Sequence, residues 1–163
     1  MERRRVVITG LGAVTPIGLT AMESWQAVKD GVCGVAPITQ FDPTGMKVQL
    51  AAEVKGFVPE NYMSKPEAKR MARFTQLAVV SAKEALENAG FTLDEAEADR
   101  CGVIVSSGIG GLDVTEGEHS KGLEKGFDRV SPFYIPMAIS NMAAGLIAIA
   151  HNCKAMLEMA MGM

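Results

Sequence analysis

Three cysteines, Cys33, Cys101 and Cys153, and two histidines, His119 and His151, are the side chains of this 163-residue chain best suited to nucleophilic, proton-transfer or soft-metal chemistry. Their spacing assembles no metal site. There is no Cys-x-x-Cys pair and no histidine at ligand spacing, so the pattern predicts free thiols in a reducing compartment, not a disulfide framework or a zinc centre. Cys153 stands in HNCK at the end of an apolar helical stretch, where the helix's partial negative charge disfavours a thiolate. It reads as a passive thiol, and His151 beside it as a partner of the terminal carbonyls. His119 lies in a polar stretch with no cysteine or carboxylate partner pattern and reads as a surface histidine. Cys33 and Cys101 flank glycines and read as packing residues. The sequence assigns no catalytic residue, no metal ligand and no cofactor.

Two glycine clusters raise a second possibility, anion binding. A dinucleotide fingerprint places Gly-x-Gly-x-x-Gly between a strand and a helix, with an acidic residue about twenty positions on. In VVITGLGAVTPIG, Gly10 and Gly12 fit, but Thr15 holds the third position and Pro16 follows at once. Asp30 falls near the right distance, yet no second strand ends there to present it. No P-loop sequence occurs, and SGIGGL is followed by no helical pattern on which a phosphate could rest. Both clusters read as tight turns and close packing, which leaves a nucleotide-binding oxidoreductase as a remote alternative.

The elements that must position these residues alternate. RRVVITG, rich in β-branched residues, predicts a buried first strand, and residues 21–30 a helix stopped by Gly31. VQLAAEV near 48–54 suggests a second strand. Ser64 and Glu67 form a capping-box pattern with Pro66 in the first turn, opening a helix that runs to about Ala89 and Gly90. TLDEAEADR reads as an acidic connector and CGVIVSSG as another buried strand. Residues 112–130 read as a polar loop with a short helix. From Ala138 to about Ala150 runs one helix, apolar nearly all round and therefore expected to be buried on several sides. Strand–helix alternation implies an α/β layered fold with a mainly parallel sheet.

Composition agrees with a folded chain of one domain: 48% hydrophobic and 21% charged residues, with a net charge of -3 that gives no case for nucleic acid. Glycines and Pro16 interrupt the first apolar run too often for a signal peptide. IPMAISNMAAGLIAIA is too short and too polar to span a bilayer. A soluble, cytoplasmic protein is expected.

RRVVITGLGAVTPIG, FD at 41–42, VSSGIGGL and above all SPFYIPMAISNMAAG together resemble the β-ketoacyl-acyl carrier protein synthases of the type II branch, collinearly from position 3 to about 154. The resemblance implies a thiolase-like fold, here as an incomplete N-terminal half in which a mainly parallel sheet lies between helices. It also implies a homodimer working in fatty-acid biosynthesis. The family's reaction is a decarboxylative Claisen condensation: a cysteine takes the acyl group as a thioester, and the carbanion from malonyl carrier protein attacks it. That chemistry needs a thiolate nucleophile, two histidines for the enolate and amides for the oxyanion.

The resemblance further implies an acyl pocket lined by Ile109, with Tyr134 where a phenylalanine usually stands. Docking of acyl carrier protein is implied for Lys69, Arg70 and Arg129, weakened because Pro66 and Asp128 replace basic residues. After Lys154 the family continues with Gly-Pro, a strand and a Thr-Ala-Cys turn, whereas this chain reads AMLEMAMGM. The expected organisation is therefore a partial synthase domain over 1–154 and a divergent tail over 155–163, helical in propensity, from a truncation or change of frame. The chain alone is expected to lack turnover and to self-associate or need a partner. The alternative reading is a non-catalytic module that binds acyl carrier protein or pairs with a full-length synthase.

Overall fold

A computed structural model describes residues 5–155 and the backbone of 157–158. The chain divides into two compact units, one comprising residues up to Val58 together with Val80–Phe91, the other Pro59–Val79 with Thr92 onward.

In the first unit, α1 (Ala21–Lys29) begins where the Thr20 side chain accepts from the Glu23 amide and ends at Asp30, just before Gly31. β1 (Ala36–Pro37) pairs antiparallel with β2 (Leu50–Ala51), so the expected strand over 48–54 shrinks to two residues. The residues of α3 (Arg73–Ala89) divide between the units, and from Val80 onward they belong to this one. The glycine turn packs on that part of α3: a Cβ on Gly12 would run into the Ser81 carbonyl oxygen and stand 2.6 Å from the Ala85 nitrogen. Only a residue without a side chain allows so close an approach.

The expected first strand is corrected here. Residues 5–14 form no strand, and Val6, Val7 and Ile8 are 94%, 65% and 82% exposed. A strand requires a neighbouring backbone. Instead, Leu11 donates its amide to Asn88 Oδ1 at 3.1 Å and Ala13 donates to Glu84 Oε2 at 2.8 Å. The Thr15–Gly18 bridge is the one pairing of this segment among the described residues.

In the second unit, the capping box opens α2 (Lys65–Ala68) as expected, with Glu67 and Ser64 exchanging both hydrogen bonds. The long helix expected from Ser64 to Ala89 is broken at residues 69–72. There the Gln76 side-chain amide takes up the Ala68 and Met71 carbonyls at 2.9 and 3.2 Å, and α3 restarts at Arg73. The acidic connector holds one turn, α4 (Glu95–Ala98), capped by Asp94. β3 (Val103–Ile104) pairs in parallel with β4 (Leu157–Glu158). The expected helical tail is thus corrected at 157–158, because β3 offers a backbone edge; residues 156 and 159–163 lie outside the described residues.

The stretch read as a polar loop is a 14-residue helix, α5 (Leu112–Lys125), followed by a 3-10 turn at Phe127–Arg129. The single helix expected over 138–150 is two: α6 (Tyr134–Ala138) and α7 (Met142–His151). Ile139 between them is extended, and Ser140 and Asn141 favour such a junction over a helix interior. α7 buries one side, Ala143, Ala144, Ile147 and Ala148, while Ile149 is 77% exposed. Burial on several sides is therefore also corrected. The buried set of this unit is mostly alanine, with Thr75 the largest side chain fully enclosed. No described helix is long and apolar enough to cross a membrane.

Candidate functional site

The residues with expected binding roles all lie in the second unit. Tyr134 opens α6, and its hydroxyl stands 3.5 Å from Thr115 Oγ1 on α5. Together with Glu118, His119, Phe127 and Val130 they line a cavity of about 200 Å³. Glu118 fixes one wall: its carboxylate accepts from the Ser131 amide at 2.7 Å and pairs with Lys121 at 3.2 Å. The Ser131 hydrogen bond, with Lys121 assisting, lowers the Glu118 pKa below its ordinary 4.5. His119 is exposed, its ring 6.5 Å from that of Phe127.

Ile109 is not among the cavity's lining residues, and its side chain is 71% exposed. Its turn is nevertheless anchored to the end of α6, since the Gly111 amide donates to the Ala138 carbonyl at 2.9 Å. A Cβ on Gly111 would stand 2.7 Å from the Met137 oxygen. Ile109 and Tyr134 therefore share one scaffold without sharing one cavity.

Of the basic residues, Lys69 and Arg70 are exposed where α2 ends. The Arg70 guanidinium lies over the Phe133 ring, 5.0 Å from its centre, a cation–π geometry that fixes the charge next to the residue preceding Tyr134. Arg129 sits in the 3-10 turn, its Nε 3.5 Å from the Asp128 carboxylate, with both side chains mostly exposed. The structure thus joins Arg70 to the aromatic pair and partly neutralises Arg129.

The glycine turn of the first unit has two of its amides already engaged. The amides of Leu11 and Ala13, which a phosphate would need, are taken by Asn88 and Glu84. A cavity of about 680 Å³ adjoins the turn, and its lining, including Leu11, Ile17, Trp25, Val28 and Val32, contains no charged side chain. Asp42 of the FD pair closes a local turn, accepting from Thr44 Oγ1 at 2.6 Å and from the Thr44 amide at 3.0 Å. Those two bonds lower its pKa. No group of histidines, cysteines and carboxylates among the described residues could hold a metal ion.

Cys33 is exposed, while Cys101 and Cys153 are half-buried with their sulfurs 3.6 Å apart. Burial first, then the Cys101 sulfur, pushes the Cys153 thiol up to about 11. Sequence reasoning missed this pair, because a 52-residue separation carries no pairing signal. It also missed Phe133 as the seat of Arg70, and Thr115 and Glu118 as cavity walls. The aromatic pair at 133–134 was the visible hint for the first.

Comparison with known proteins agrees with this frame. The chain is 46% identical over 154 residues to 3-oxoacyl-[acyl-carrier-protein] synthase 2 of Synechocystis, covering 94% of this chain and 37% of that protein. It is 45% identical to the enzyme of the same name from Staphylococcus aureus over 153 residues, again 94% and 37%. The chain therefore spans a little over a third of the length of these relatives. Among solved structures, the ishigamide ketosynthase/chain length factor superposes with a TM-score of 0.81 at 25% identity, over 98% of this chain and 40% of that one. A β-ketoacyl synthase from Burkholderia phymatum gives 0.73 at 26%, over 96% and 38%. A type II ketosynthase in complex with its acyl-carrier protein gives 0.76 at 18%, over 97% and 41%, which bears on fold alone. These likenesses carry the thiolase-like, ketosynthase class of fold. Residues 3–159 match the family described as beta-ketoacyl synthase, N-terminal domain, and the chain belongs to that family.

Proposed function

We propose that this chain is the N-terminal portion of a 3-oxoacyl-[acyl-carrier-protein] synthase of fatty-acid biosynthesis. In this reading it offers the carrier protein a basic docking face and supplies part of the acyl pocket, but performs no condensation by itself. The observation that carries the reading is the Arg70–Phe133 contact at 5.0 Å. It joins the basic end of α2 to the segment that opens the Tyr134 cavity, so a docked carrier would deliver its thioester beside the pocket. The relatives' names supply the substrate class, and one structural neighbour is a ketosynthase held with its acyl-carrier protein.

In the condensation, malonyl carrier protein loses CO₂ and its carbanion attacks an acyl thioester, lengthening the chain by two carbons. The nucleophile must be a thiolate. Cys153, with its thiol raised to about 11, is the opposite of that, so acyl transfer is not assigned to it. Residues 1–154 carry the partial synthase domain and 155–163 a divergent tail, in a cytoplasmic, homodimeric parent. A second reading, a non-catalytic module that pairs with a full-length synthase, is favoured by the exposed apolar run at Val6, Val7 and Ile8. Self-association of the isolated chain would follow from the same run.

Titration of the full chain with acyl carrier protein at low and high salt tests the docking face. Binding should weaken as salt rises, and Lys69→Glu with Arg70→Glu should lose about tenfold or more in affinity. Unchanged affinity in the double variant overturns the proposal. Binding of NAD(H) in a parallel titration would instead favour the oxidoreductase reading.

A further inference from the structure

The sulfurs of Cys101 and Cys153 lie 3.6 Å apart although 52 positions separate them in sequence. Their backbones are tied by the main chain itself. Lys154 donates its amide to the Ala98 carbonyl at 2.9 Å, and Ala155 donates to the Cys101 carbonyl at 3.1 Å. Asn152, in the left-handed conformation at φ 55°, turns the chain out of α7, and the Cys153 amide returns to the Ala148 carbonyl at 3.0 Å. The two thiols are therefore held together by the same hydrogen bonds that lead into the β3–β4 register. Cys33 differs: it is exposed and belongs to the first unit.

We propose that Cys101 and Cys153 form a dithiol modification site that accepts a small disulfide, such as oxidised glutathione, and closes to an intramolecular disulfide. A disulfide needs its sulfurs about 2 Å apart, so closure requires a shift of roughly 1.5 Å, within reach of side-chain rotation at half-buried positions. Entry falls to Cys101, since Cys153 is kept protonated and its thiol donates to the His151 carbonyl at 3.9 Å. The Cys101 thiolate attacks one glutathione sulfur, the S–S bond of the oxidant breaks, and the first glutathione thiolate leaves and takes a proton. Once Cys101 is in the mixed disulfide its sulfur is neutral and no longer opposes a thiolate on Cys153, so that burial alone is left to oppose it. Cys153 then gives its proton to solvent, attacks Cys101 Sγ and displaces the second glutathione. One glutathione disulfide is reduced to two thiols, and two protein thiols become one disulfide. The resulting loop encloses α5, α6 and α7, the segment that carries Ile109, Arg129 and Tyr134.

The test is exposure of the full native chain to oxidised glutathione, followed by alkylation and non-reducing tryptic mass mapping. The expected product has lost two hydrogens and links the peptide beginning at Cys101 to the one ending at Lys154, with Cys33 free to carry glutathione. Cys153→Ser should stop at the mixed disulfide on Cys101, and Cys33→Ser should close normally. Closure should be at least about tenfold faster in buffer than in denaturant, because the fold holds the sulfurs together. Three glutathione adducts without a link, or equal closure rates in buffer and denaturant, would overturn the proposal.

Discussion

Glu84 offers the sharpest test of how the first unit is held. Its two carboxylate oxygens accept separate backbone amides, Oε2 from Ala13 and Oε1 from Ala21, both at 2.8 Å. Ala21 is the first residue of α1, so one side chain joins the glycine turn and a helix start to α3. Glu84→Ala removes both acceptors while leaving both donors half-buried. A charged hydrogen bond contributes about 1.5–3 kcal/mol, and partial rehydration at these sites lowers the loss to roughly 1–1.5 kcal/mol per amide. The total is about 2–3 kcal/mol. Glu84→Gln keeps one acceptor and should lose about half of that. Since about 1.4 kcal/mol corresponds to tenfold, amide hydrogen exchange at Ala13 and Ala21 should speed roughly 30- to 140-fold in Glu84→Ala. Amides of the second unit, such as Gly145 and Cys153, should keep their protection. The internal control is Lys83 and Glu87, a 3.9 Å pair with side chains 54% and 67% exposed. Glu87→Gln should change stability by less than about 0.5 kcal/mol. If Glu84→Ala leaves exchange at both alanines within a factor of about two, the carboxylate clamp carries no energy and the reasoning fails.

Gly12→Ala should destabilise by about 3 kcal/mol through collision with Ser81 and Ala85, whereas Gly117→Ala, in α5 with nothing within 4 Å, should stabilise by about 0.5–1 kcal/mol; thermal melts of both variants decide this. Because the Glu118 pKa is lowered in the fold, its contribution is complete above the unfolded value and is lost as pH falls below 4.5 through the folded value. The Ser131 amide resonance should report that loss on acidification, and Glu118→Gln should flatten the response. Closing the Cys101–Cys153 bond, which spans a loop of about 50 residues, should add up to about 4 kcal/mol against unfolding, read as a higher denaturation midpoint that a reductant reverses.

Local signals were legible where one residue decides the conformation. Gly31 marked the end of α1, and Ser64 with Glu67 opened α2 at the expected position. The order of motifs carried the family, and with it the class of fold. What failed depended on distant partners. RRVVITG has strand-forming residues, but β propensity expresses itself only against a neighbouring backbone, and the next amides along the chain, those of Leu11 and Ala13, go to α3 side chains. α5 was hidden because Gly117 and Gly122 each lower helix propensity by about 1 kcal/mol. The packing that compensates, with the Phe127 ring lying where a Gly122 side chain would project, is tertiary. At the candidate site, the family resemblance alone suggested roles for Tyr134 and the basic residues. Their partners, Phe133 beneath Arg70 and Thr115 beside the tyrosine hydroxyl, came only from the arrangement of helices.

The ring beneath Arg70 has a consequence for molecular recognition. An arginine already seated over an aromatic ring has surrendered part of its rotational freedom before any visitor arrives, so an incoming anionic group has less of it to freeze. Affinity at this corner should thus depend on a neutral side chain as well as on charge. Phe133→Leu, which alters no ionised group, should slacken the grip on an acidic ligand while leaving its ionic-strength dependence unaltered.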